Sequence, residues 1–177
     1  MPSGKTHDAV TILFAAPMFL AAWRATNNFG LALLGSAAFL FGGLMFGPDL
    51  DTQSVEYRRW GVFRFFWFPY KVFFAHRSRW SHGLVFGTMM RVIYFAGVTT
   101  VFFALIFYLA ALLRNAAPPT AAQIRELWET FGLWTREHVG NHAIFVFLAG
   151  LWAGAACHTL TDIIGTFIKT GKVKGFL

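Results

Sequence analysis

The chain has 177 residues, of which 56% are hydrophobic and only 13% charged, with a mean hydropathy of +0.54. Soluble domains carry roughly 25% charged residues, so this composition excludes an ordinary soluble enzyme and predicts one integral-membrane domain over residues 1–177. The formal charge of +7 fits loops facing anionic lipid and not nucleic acid, because no nucleic-acid-binding motif accompanies it.

In chain order, the expected fold is all-α: a helical membrane protein of about four transmembrane helices plus interfacial amphipathic helices. The first span covers roughly residues 9–24, with Pro17 inside it and a kink expected there. His7 and Asp8 interrupt the approach to this apolar run, so it is not read as a signal peptide. The second span, roughly 29–47, follows a turn of a few residues and stops at Gly47-Pro48, with Asp49 and Asp51 immediately behind.

The connection 48–87 interleaves Arg58, Arg59, Arg64, Lys71, Arg77 and Arg79 with Trp60, Phe63, Phe65, Phe66, Trp67, Tyr70 and Trp80. That mixture fits the headgroup layer, as an interfacial helix or re-entrant piece lying on the membrane. A third span, roughly 88–113, ends at Arg114 and Pro118-Pro119. The loop 114–142 contains an amphipathic helix, Ala121 to Glu137, expected on the opposite surface, and a fourth span, roughly 143–167, precedes a basic tail.

Four spans put both termini on one side. That side collects Lys5, Arg58, Arg59, Arg64, Lys71, Arg77, Arg79, Arg91, Lys169, Lys172 and Lys174, eleven against the four of the other side, Arg24, Arg114, Arg125 and Arg136. The positive-inside rule then predicts a multi-pass protein of the plasma (inner) membrane with both termini cytoplasmic.

Under this topology His7, Asp49, Asp51, His76, His82, His158 and Asp162 all fall at the cytoplasmic ends of the spans. His158 and Asp162 stand at i and i+4, so they share one helix face. Imidazoles and carboxylates together suit a divalent metal, with zinc first and manganese or iron also compatible, at one or two ions per chain. His138 and His142 have the same spacing but lie at the other end of the last span, where they read as interfacial residues. Cys157, the only cysteine, reads as a small buried filler and not as a thiolate ligand. Arg77 and Arg79, in HRSRWSH, can hold phosphate or carboxylate oxygens beside a metal, and His76 can act as ligand or proton carrier.

Read together, PSGKTHD, FGGLMFGPDLD, RRWG, HRSRWSHG and HTLTD resemble a family of small bacterial and archaeal integral-membrane proteins described as metal-binding, of unknown function. That family is in turn similar to the inner-membrane metal-dependent hydrolases, which show the same order of His, PDxD, HR-plus-SH and HxxxD elements. The resemblance implies metal ligands at His7, Asp49, Asp51, His82 and His158 or Asp162, with His76 as a further candidate.

The function expected is a metal-dependent hydrolase acting on a phosphoester of a lipid or lipid-linked substrate at the cytoplasmic face. The competing readings are non-catalytic metal binding and a structural subunit of a larger membrane complex, with membrane lipid, another membrane protein or a second copy as partner. A transporter would carry ionisable residues at mid-span, and these span centres are almost free of charge.

Overall fold

The computed structural model describes residues 2–74 and 78–171. Among them the architecture is all-helical, with no strand. Helix α1 is Gly4–Thr26, α2 Phe29–Leu44, α3 Val55–Arg59, α4 Phe68–Phe73, α5 Arg79–His82, α6 Phe86–Leu113, α7 Ala121–His138 and α8 Ala143–Thr170. Pro48–Asp51 and Gly61–Trp67 form 3-10 turns.

Helices α1, α6 and α8 are long and apolar enough to cross a membrane. At 1.5 Å per residue they measure about 35 to 42 Å, against a hydrocarbon core of about 30 Å. Helix α2 has 16 residues and stops at Leu44, three residues short of the expected end. Its chain turns at Met45 to Gly47 because Pro48 cannot continue the hydrogen-bond ladder.

The first helix begins earlier than its apolar run. Ser3 caps it by accepting from the Thr6 amide, so His7 lies inside α1 and not ahead of it. Pro17 is contained within the same helix.

Helices α1, α2 and α8 form the main bundle. Gly154 of α8 lies against the α2 backbone, where an added Cβ would run into the Phe39 carbonyl and stand 2.7 Å from the Gly43 nitrogen. Thr11 of α1 also packs on Gly43. These approaches need residues without a side chain. His158 sits one turn past Gly154, and His7 one turn before Thr11, so the same contacts bring the two imidazoles together.

The connection 48–87, expected as an interfacial helix or re-entrant piece, is over its described residues a series of short helices and turns. Gly61, at φ +54°, and Pro69 interrupt helix propagation, leaving short turns that fold inward. Phe46, Leu50, Tyr57, Phe66, Trp67, Tyr70 and Leu151 form the aromatic core, and Trp67 stacks on Phe95 of α6 at 5.5 Å. The Trp60 indole nitrogen donates to the Met45 carbonyl at 2.8 Å and ties the segment to the end of α2. Val62, Phe63, Phe65, Phe68, Val72 and Phe73 remain exposed.

Helix α7 folds back against α6. Trp128 Nε1 donates to Thr100 Oγ1 at 3.2 Å, while a Thr120–Gln123 capping box starts the helix. None of its residues is buried.

Candidate metal centre

Five elements deliver polar side chains to one end of the bundle. His7 comes from α1, Asp49 and Asp51 from the Pro48–Asp51 turn, Glu56 from α3, His82 from α5, and His158 with Asp162 from α8. All are buried except Asp49, whose side chain is 24% exposed.

The ligand-type atoms fall into two groups, His7 with His158 and Asp162, and Asp49 with Asp51 and His82. Within each group they lie within 4.8 Å of one another. His7 Nε2 is 3.2 Å from Asp162 Oδ1, and His158 Nε2 is 3.9 Å from Asp162 Oδ2, so the i to i+4 pair shares one face as the spacing predicts. The His7 and His158 rings stack at 3.9 Å and 5°. His82 Nδ1 is 3.6 Å from Asp51 Oδ2 and 2.9 Å from Ser81 Oγ.

Asp49 joins the groups, with Oδ1 3.4 Å from His82 Nε2 and Oδ2 3.6 Å from His158 Nε2. Burial disfavours its charged form, but the two imidazoles outweigh burial and hold the carboxyl well below the usual carboxylate range.

Whether a cation fits is answered by the atoms left over. His7 Nδ1, both His158 nitrogens, both Asp162 oxygens, Asp49 Oδ1 and both Glu56 oxygens are buried with no hydrogen bond. Each such atom costs about 1–3 kcal/mol, and a divalent ion bound among carboxylates and neutral imidazoles removes much of that cost. The donor set therefore fits a divalent metal.

Glu56 is the member the sequence reading missed. Its Oε1 lies 2.8 Å from His158 Nδ1, at hydrogen-bond distance but out of hydrogen-bond alignment. Ser54 caps α3 through the Tyr57 amide at 3.1 Å, and Gly47 leaves room for the carboxylate, since a Cβ there would collide with Glu56 Oε1. A signal did exist: Glu56 is the one acidic residue between Asp51 and Arg125, set in a strongly basic stretch.

Arg91 was also misread, as one more charge on the positive side. It is buried at the start of α6 and donates to the Ser81 carbonyl at 2.6 Å and to Thr88 Oγ1 at 3.0 Å, which pins the turn carrying His82. His76 and Arg77 lie outside the described residues, and of Arg79 only the backbone in α5 is described. His138 and His142 are exposed at the other end of α8, with His138 stacked on Trp134.

A cavity of about 270 Å³ reaches this cluster, with His7, Asp49, Glu56 and His158 among its lining and the exposed Arg58 and Arg59 also on its wall. Arg59 is engaged, its guanidinium clamping Asp8 and donating to the Leu44 carbonyl at 2.8 Å. Arg58 has no ion pair among the described residues.

Fold and site together define a helical protein with long apolar helices and a buried His/carboxylate cluster of metal-ligand type. The chain belongs to the family described as "Uncharacterized metal-binding protein (DUF2227)", whose pattern matches residues 2–172. A relative from Aquifex aeolicus (strain VF5), described as an uncharacterized protein, is 30% identical over 132 residues, covering 74% of this chain and 89% of the relative. Neither description names a reaction or a particular metal. No solved structure matches the chain.

Proposed function

We propose that this is an integral membrane protein that binds a divalent metal at the cytoplasmic ends of its spans and hydrolyses a phosphoester of a lipid or lipid-linked substrate. The observation carrying this reading is the cavity that joins the metal-ligand side chains to Arg58. A hydrolase needs both in one space: ligands at the inner wall and a cation for the substrate's anionic group at the outer one.

The ligands would be His7, His158, Asp162, Asp49, Asp51 and His82, with zinc, manganese or iron as suitable ions. When bound, such an ion lowers the pKa of a coordinated water and polarises a phosphoryl oxygen. The residues of the chain do the rest. The Arg58 guanidinium offers a planar fork for two phosphoryl oxygens, the part the sequence reading gave to Arg77 or Arg79. Asp49, the least buried carboxylate of the cluster, faces the cavity. Glu56 holds the His158 ring from its other nitrogen.

Three long apolar helices, the excess of cations on one side and the exposed apolar residues between Val62 and Phe73 support the inner-membrane placement with both termini cytoplasmic. The order of His, PDxD and HxxxD elements shared with inner-membrane metal-dependent hydrolases supports the reaction class.

The test is metal-dependent turnover of a panel of phosphoester lipids by protein purified in detergent without chelator. Turnover lost on chelation, with KM raised about 10-fold or more by Arg58→Ala at unchanged metal content, is the expected result. Stoichiometric metal with no turnover on any substrate overturns the hydrolase and leaves a non-catalytic metal-binding protein.

A further inference from the structure

The two carboxylate oxygens of Asp49 face different groups of potential ligands, Oδ1 toward His82 and Oδ2 toward His158. On the His82 side Asp51 completes a set of three, and on the His158 side His7 and Asp162 do so. The six side chains thus form two groups and not one set around a single point.

We propose that the centre is dinuclear. His82 and Asp51 hold one divalent cation, His7, His158 and Asp162 hold the other, and Asp49 bridges them through one oxygen to each. The inference rests on the metal-binding reading above and assigns each side chain to a position. Three protein donors at the first position and four at the second match the pattern of paired-metal sites that act on phosphoesters, in which some coordination positions stay open to substrate and water.

The burial pattern agrees with this division. His82, Asp51, His7, His158 and Asp162 are all enclosed, whereas Asp49, the one shared carboxylate, is partly open and borders the cavity. Glu56 belongs to neither group and lies 2.8 Å from the His158 nitrogen opposite Asp49.

The experiment uses the full chain in detergent, stripped with chelator and titrated with manganese(II) alone. Metal content per chain and low-temperature electron paramagnetic resonance are the readouts. Two equivalents with the signal of an exchange-coupled pair are expected. Asp51→Ala and His7→Ala should each retain one equivalent with an isolated-ion signal. Asp49→Asn, which keeps the side-chain size, should abolish the coupling, and circular dichroism checks that each variant remains helical.

One equivalent in the unmodified chain, or two that remain uncoupled, overturns the dinuclear assignment. Neither result depends on turnover: two coupled ions without activity would remove the hydrolase and leave the pair standing. Turnover with a single ion would do the reverse.

Discussion

The two ends of α8 carry the same kind of sequence signal and end in different environments. His138, the last residue of α7, and His142, just before α8, stand four residues apart, and His158 and Asp162 have the same spacing within α8. At the first end the imidazoles are exposed and His138 rests on Trp134. At the second, His7, Asp49 and Glu56 arrive from three other elements, and the donor atoms of His158 and Asp162 are buried with no hydrogen bond. Only the second pair shares one helix face, and there the fold also brings donors from elsewhere and excludes water from them.

The sharpest way to break this contrast is to remove one imidazole from each end. His158→Ala should weaken manganese or zinc binding by more than about 100-fold, because even the loss of a group behind a ligand costs about 10–100-fold. His142→Ala should leave affinity unchanged in the same calorimetric titration. Comparable losses from both would mean that the two ends do not differ as described.

Glu56→Gln tests whether the orienting carboxylate separates the two ends. It keeps the shape of the side chain and removes its charge, so binding should weaken by about 10–100-fold while the number of bound ions stays the same. An unchanged dissociation constant would show that Glu56 merely fills space beside His158.

A smaller effect is expected from Arg91→Met, measured as thermal or denaturant stability of the metal-free protein. Losing the donors to the Ser81 carbonyl and Thr88 should cost about 1–3 kcal/mol. The same substitution at the exposed Arg136 should cost nothing measurable.

The smallest effect concerns acid. The Asp49 carboxyl is held below its ordinary range, so the folded state favours its charged form. The stability this supplies is complete above the unfolded-state value of about 3.9 and disappears as pH falls toward the depressed folded-state value. In chelated protein, the cost of Asp49→Asn should therefore be equal at pH 7 and pH 5 and should shrink below about pH 4. A cost that is the same below pH 4 as at pH 7 would mean that the carboxyl titrates normally.

Much of this molecule could be read from its residues. The all-α class, the apolar helices, the break at Pro48 and the gathering of His7, Asp49, Asp51, His82, His158 and Asp162 follow from hydropathy and chain direction, since apolar runs of fixed length leave only two ends at which polar residues can meet. Three features become plain only in the fold. Glu56 and Arg91 occupy positions where an acid in a basic loop and an arginine at a helix start look like solvated charges, and burial is a property of the neighbours and not of the residue. The aromatic stretch after Glu56 has the composition of a headgroup-layer segment, yet Gly61 and Pro69 cut it into turns that send Trp67 and Tyr70 inward.

The sequence by itself determined which residue types are present and at which end of each helix they lie. Only the tertiary structure decided that Asp49 reaches both His82 and His158, because that depends on contacts 33 and 109 residues apart along the chain. The close approach of α2 to α8 at Gly154 sets one of those contacts, and the turn pinned by Arg91 sets the other. Local propensity acts over a few residues and cannot encode either.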